Sequence, residues 1–238
     1  MTTLLLRLAG PMQAWGDSSR FTRRETRREP TKSGVIGLLA AAQGRRRTDP
    51  IEDLLALRFG VRVDQVGEVA RDFQTAQQWE TGRRMPLSYR YYLSDAVFVA
   101  GVEGPTGLIS DLAAALQAPA FPAFLGRRSF PPSRGILLSV SEADLVTALT
   151  EHEWEASEWY RRKQPRAVAL RLVVDADVLP GEAQGGTVRD VPRSFDPVRR
   201  EYTWRGIVEV GGGVEVTNDI GRVTASTEPD YFGEVAAG

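Results

Sequence analysis

The stretch Leu57-Arg58-Phe59-Gly60-Val61-Arg62-Val63 alternates apolar and polar or glycine positions without a break. Side chains of a strand point to opposite faces in turn, so this spacing predicts a β-strand with one face on a core. It is the clearest period-two segment in the chain, and the rest of the order can be read outward from it.

Upstream, residues 3–8 are a short apolar run closed by Gly10-Pro11, which reads as a buried strand. The opening, MTTLLLRLAG, is too short and too soon interrupted by Arg7 for a secretory signal. Residues 10–30 have little apolar periodicity and read as a long basic loop. Pro30-Thr31 opens a helix, with Thr31 as its cap, Val35, Ile36, Leu38, Leu39 and Ala42 on a broad apolar face, and Gly44 closing it.

Downstream, residues 66–86 are polar and rich in Gln, Arg and Gly, and read as an extended arm or hairpin. Residues 89–102 are one long β-type stretch. Residues 106–116 place Leu108, Ile109, Leu112 and Leu116 on one side of a helix, and residues 136–140 form another strand. The first 140 residues therefore give β-α-β-(arm)-β-α-β. The expected class is α+β: a ferredoxin-like (RRM-like) domain over 1–140, with the arm inserted at about 66–89. Residues 141–238 are expected to form a smaller, less regular C-terminal part. It holds a helix near 142–150, a strand near 167–174, mixed arginine and aromatic residues at 188–204, a turn at Gly211-Gly212-Gly213, and a mobile tail.

The chain has no cysteine, which excludes disulfides and thiolate chemistry and fits a cytoplasm. No apolar run reaches the roughly 18 residues that span a bilayer, so no membrane is expected. The net charge of −1 is unpromising for a nucleic-acid binder, but its distribution is not. From Arg20 to Lys32 there are six basic residues and two acidic ones, and further arginine clusters sit at 45–47, 127–128 and 199–200. Segregated charge of this kind makes a basic groove possible on a neutral protein.

Catalysis has little support. His152 is the single histidine, in Glu151-His152-Glu153, and reads as a surface helix residue. No His, Asp and Glu cluster has metal spacing, no nucleophile elbow occurs, and neither a metal nor a cofactor is expected.

Five segments, in order, carry a resemblance. They are Leu6-Arg7-Leu8-Ala9-Gly10-Pro11-Met12-Gln13-Ala14-Trp15-Gly16; Pro30-Thr31-Lys32-Ser33-Gly34-Val35-Ile36-Gly37-Leu38-Leu39-Ala40; Tyr92-Leu93-Ser94-Asp95-Ala96-Val97-Phe98; Phe124-Leu125-Gly126-Arg127-Arg128-Ser129-Phe130-Pro131; and Arg189-Asp190-Val191-Pro192-Arg193-Ser194-Phe195. Together they resemble the CasD family, the E-subtype branch of the fifth CRISPR-associated protein family. The resemblance implies a non-catalytic subunit at one end of the type I-E Cascade complex, in antiviral defence. Such subunits cradle the repeat-derived 5′ handle of CRISPR RNA. Their arm packs against the backbone subunit CasC, they adjoin the large subunit CasA, and they meet target DNA only through the complex. RNA cutting there belongs to CasE. The alternative is a metal-independent endoribonuclease that trims CRISPR repeats.

The residues offer what single-stranded RNA needs: phosphate ligands, stacking faces and polar groups for base edges. Arg20, Arg23, Arg24 and Arg27 can pair with phosphates. Lys32, Ser33 and Gly34 stand at a helix N-terminus, a natural anion site whose alternative is plain capping and close packing. Gln13 can read a base and Trp15 can stack one, or Trp15 can plug the edge of the core. Arg127 and Arg128 read as backbone clamps. Arg90, among Tyr89, Tyr91 and Tyr92, reads as an RNA or subunit surface, with Arg90 on the same face as Tyr92. Arg193 completes the set.

Overall fold

A computed structural model describes residues 1–16, 23–181, 185–196 and 198–222. In chain order the elements are β1 (Thr2–Ala9), β2 (Met12–Gln13), β3 (Arg23–Arg24), α1 (Lys32–Ala42), α2 (Glu52–Leu55), β4 (Arg58–Gln65), β5 (Glu68–Gln74), β6 (Ser88–Ser94), β7 (Val97–Gly104), α3 (Thr106–Gln117) and β8 (Leu137–Ser141). There follow α4 (Leu145–Glu151), α5 (Glu158–Arg161), β9 (Ala167–Leu170), β10 (Leu172–Asp175), β11 (Gly186–Ser194), β12 (Glu201–Glu209) and β13 (Val214–Thr217). The proposed mobile tail lies outside the described residues.

Seven strands form one sheet in the order β11-β12-β10-β4-β7-β1-β8, and every neighbouring pair is antiparallel. Both faces are covered. Leu4, Leu6 and Leu8 of β1 join Phe98, Ala100 and Val102 of β7 under α1 and α3. Leu5 and Val99 point the other way, into a second cluster with Leu145 and Leu149 of α4 and Val174 and Val208. A strand buried on both sides reads as a continuous apolar run, which is why β1 shows no alternation.

The same burial changes the meaning of β4. A strand with one face on a core leaves its alternate positions for solvent, yet Gly60 and Arg62 are buried. Gly60 pairs with Gly101 of β7. A Cβ at either would stand 2.9 Å or 2.5 Å from a leucine of α4, so the two glycines let that helix lie close on the sheet. Arg62, 0% exposed, donates to both carboxylate oxygens of Asp64 at 2.7 and 2.9 Å. It also donates to the carbonyls of Leu149, His152 and Glu153, at 2.6, 2.7 and 2.7 Å. These close the C-terminal end of α4, whose last carbonyls have no partner inside the helix.

The stretch read as one strand over 89–102 is two. Asp95 adopts φ 54° between β6 and β7, a left-handed turn that an aspartate tolerates. The turn sends β6 into a second, smaller sheet, where it pairs with β2, β3 and β5. The basic loop of residues 10–30 thus contributes two short strands. The β5–β6 ladder runs from Glu68↔Ser94 to Gln74↔Ser88 and continues to a Gln77↔Arg84 bridge, a two-stranded hairpin.

The C-terminal part is more regular than its sequence suggested. β10, β12 and β11 extend the main sheet beyond β4, and β9 pairs with β13. The pattern was unreadable because charged residues occupy inward positions: Asp190 of β11 and Asp175 of β10 are both buried.

Candidate nucleic-acid interface

Helix α1 begins as predicted. The hydroxyl of Thr31 accepts from the Gly34 amide at 3.2 Å. The anion site at its N-terminus, however, is filled from within the chain. The Lys32 amide donates to Asp190 Oδ2 at 2.9 Å, and Lys32 Nζ donates to Asp175 Oδ2 at 2.8 Å. Arg205 of β12 donates to both oxygens of Asp190, at 2.6 and 2.9 Å, and to Asp175 Oδ1 at 2.6 Å. Two cations and two carboxylates thus form a buried quartet joining α1, β10, β11 and β12. Burial works against the Arg205 charge, but the hydrogen bonds and charge of Asp190 and the nearby Asp175 outweigh it and raise its pKa. Lys32 and Ser33 are buried, so both lie in this packing and not on a phosphate-facing surface.

Gln13 and Trp15 are also core residues, at 0% and 1% exposure. Gln13 Nε2 donates to the carbonyls of Leu8 at 3.1 Å and Ala96 at 2.7 Å, and its Oε1 accepts from Trp15 Nε1 at 3.1 Å. Their polar atoms are spent on the protein, and neither has a free ring or amide for a base. Trp15 packs on α1 at Gly34, where a Cβ would come within 2.7 Å of its ring. The core-plug alternative for Trp15 is the placement found, and Gly34 serves close packing.

The arginines behave differently. Arg24 of β3 and Arg90 of β6 are Cα partners in a two-residue parallel ladder. Arg127 reaches the same place from the loop after Gly126. Its Nη2 donates to the Tyr91 carbonyl at 2.8 Å, and its guanidinium lies 5.4 Å from the centre of the Phe130 ring. Gly126 makes that loop possible: its φ is +84°, and a Cβ there would stand 1.7 Å from the Ala14 carbonyl oxygen. Burial holds the Arg127 guanidinium below its ordinary pKa, Arg90 and Arg24 push the same way, and Asp72 opposes them. Three cations therefore converge, with Asp72 of β5, the Cα partner of Arg90, as the opposing acid.

The other face of the small sheet is aromatic and basic. Arg23 lies 5.2 Å from the Tyr91 ring centre and pairs with Glu25 at 3.1 Å, and Arg71 lies 5.2 Å from the Tyr89 ring centre. Tyr92, on the Arg90 side, packs on Phe130 with ring centres 5.7 Å apart. Arg27 pairs with Glu29 at 3.3 Å. Arg128 and Arg193 are exposed, Arg193 on the distant strand β11. Arg20 lies outside the described residues. The predicted set thus divides: Arg23, Arg24, Arg90 and Arg127 come together on or beside β6, with Arg128 next in sequence, while Gln13, Trp15, Lys32 and Ser33 are interior. Sequence reading missed Asp190, Asp175 and Arg205, although Asp190 lay within a quoted segment.

His152, at the end of α4, has its Nε2 3.2 Å from Glu155 Oε1, and Glu155 also pairs with Arg7 at 3.3 Å. Among the described residues, no helix is long and apolar enough to cross a membrane.

The model of the family described as CRISPR-associated protein (Cas_Cas5) matches residues 3–207. The chain belongs to the Cas5 family of CRISPR-associated proteins. The match runs from β1 into β12, so it takes in the sheet built on β6, nearly all of the seven-stranded sheet and the arginine cluster of this Cas5 chain. CRISPR system Cascade subunit CasD of Escherichia coli (strain K12) is 32% identical over 236 residues, covering 90% of this chain and 98% of that one. A chain of a solved CRISPR RNA-guided surveillance complex is 34% identical, with a TM-score of 0.74, covering 94% of this Cas5 chain and 95% of its own length. A crystal structure of a Cas protein is 35% identical, with a TM-score of 0.63, covering 93% and 98%.

Proposed function

We propose that this Cas5 chain is a non-catalytic subunit of a CRISPR RNA-guided surveillance complex of the type I-E Cascade kind, and that it binds the repeat-derived 5′ handle of the CRISPR RNA. The likeness to CasD, over nearly the whole of both chains, supports the assignment. The observation that carries the RNA-binding part is the convergence of Arg24, Arg90 and Arg127 against, among the described residues, one exposed acid. Like charges brought together at a surface are costly unless an anion is expected there, and a polynucleotide backbone supplies one at each step.

Within this reading, β1, α1, β4, β7, α3 and β8 are the ferredoxin-like, RRM-like unit, since β4-β7-β1-β8 is the strand order such a unit takes. The arm meets the backbone subunit CasC, the subunit adjoins CasA, and target DNA is met only through the complex, in the cytoplasm. Exposed Trp79 and Phe73 on the arm suit a surface that another protein covers. The endoribonuclease alternative would call on His152, whose ring is engaged with Glu155.

The test is binding of repeat-derived RNA to the purified chain across a salt series. The reading predicts a linear loss of log affinity with log salt and a preference for the handle over a scrambled RNA. Binding that ignores both salt and sequence would overturn it, and so would a clean single-site cut that His152→Ala abolishes.

A further inference from the structure

We infer that Arg24, Arg90 and Arg127 form the seat of one backbone phosphate, and that filling this seat is what holds β3 against β6. The inference rests on the RNA-binding reading and adds to it a coupling between binding and local order.

The geometry sets the problem. Arg24 and Arg90 stand directly opposite each other, so their side chains leave the same face of the ladder. Like charges in that relation weaken a ladder, and this one is two residues long. Arg127 cannot swing clear without giving up the Tyr91 carbonyl and the Phe130 ring. Arg23 offers no relief, because it turns to Glu25 and Tyr91 on the other face. Among the described residues, Asp72 supplies one negative charge against three positive ones and is itself exposed. Among the described residues, Arg90 Nε is buried and has no hydrogen-bond partner, an unsatisfied donor within the cluster.

A phosphodiester fits this seat. It brings one full charge and two non-bridging oxygens that accept paired guanidinium hydrogen bonds. The chain beyond β3 is anchored separately: the Arg27 amide donates to the Trp15 carbonyl at 2.8 Å, and the Trp15 amide to Thr26 Oγ1 at 2.9 Å. Local opening is therefore confined to the segment that the arginines repel. An anion that binds only the assembled cluster must stabilise that assembly.

The experiment is amide hydrogen exchange of residues 23–25, β3 and the residue after it, in the full chain at low salt. It compares wild type with Arg90→Gln, each free, with inorganic phosphate, and with an octauridylate RNA. In the free protein Arg90→Gln should exchange more slowly than wild type, because one repelling charge is gone. Octauridylate at ten times its Kd should slow wild-type exchange about elevenfold. At the same concentration it should protect Arg90→Gln less. Faster exchange in free Arg90→Gln would overturn the inference. So would octauridylate that binds wild type yet leaves the segment's exchange unchanged, and that result leaves RNA binding itself standing. Protection by inorganic phosphate without RNA binding would overturn the RNA source and the functional reading together.

Discussion

Asp190→Ala removes the acceptor that ties three elements together. Asp190 is 1% exposed and accepts from the Lys32 amide and from two nitrogens of Arg205. Its loss leaves Lys32 and Arg205 sharing Asp175, with one buried positive charge in excess. Removing one partner of a buried pair costs roughly 3–5 kcal/mol. The lost contact at the start of α1 adds about 1 kcal/mol. Part of this overlaps, because Arg205 keeps Asp175, so a total of about 4 kcal/mol is expected. With a urea m-value of about 3 kcal/mol/M for a chain of this size, the unfolding midpoint should fall by about 1.3 M. Asp190→Asn keeps an acceptor for the Lys32 amide and should lose less. The salt slope of RNA binding should not change in the folded protein. A midpoint shift under about 0.3 M would refute the view that the quartet is a structural keystone, and a flatter salt slope would return Lys32 to the RNA surface.

Arg127→Ala should weaken RNA binding and flatten the log–log salt slope by roughly 0.7, as loss of one phosphate contact requires, read by fluorescence anisotropy from 50 to 300 mM salt (roughly the useful range). Gly126→Ala should cost at least about 2 kcal/mol in urea unfolding, since it demands a left-handed alanine and a clash with the Ala14 carbonyl. Acid should destabilise the protein. Asp144, held low by hydrogen bonds from Thr147 and Val146, Asp53, held low by its hydrogen bond and ion pair with Arg45, and Glu155, held low by its hydrogen bond with His152, all have depressed pKa values. Their contribution is complete above the ordinary carboxylate range and is lost as pH falls through the lower folded values. A Tm that is flat below pH 4 (about the unfolded carboxylate value) would contradict this. Deleting residues 71–86 should abolish co-purification with CasC while shifting Tm little, because the arm is exposed; a large Tm loss would show that the arm supports the fold.

Much of the architecture was legible because its elements carry ordinary signals. Thr31 before an apolar helix face, the alternation around Phe59 and the leucines of α3 each gave the right element. What the sequence concealed were charges turned inward. Arg62 looked like a solvent position and instead closes α4, and Asp190 sat unnoticed among arginines while its partners were in other elements. A buried ion pair has no local signature, since only the fold brings its halves together. The division of the site candidates follows from the same fact. Gln13 and Lys32 have the chemistry of ligands, but protein partners reach them first, whereas Arg24 and Arg90 are brought together by strand register and Arg127 by the loop after Gly126, neither of which composition encodes.

The most direct test is to sequence the RNA that co-purifies with the tagged chain from its own host. The account predicts reads that share one repeat-derived 5′ handle followed by varied spacers, with yield falling when Arg24, Arg90 and Arg127 are replaced together by glutamine. No RNA, or a random mixture indifferent to those substitutions, would contradict it.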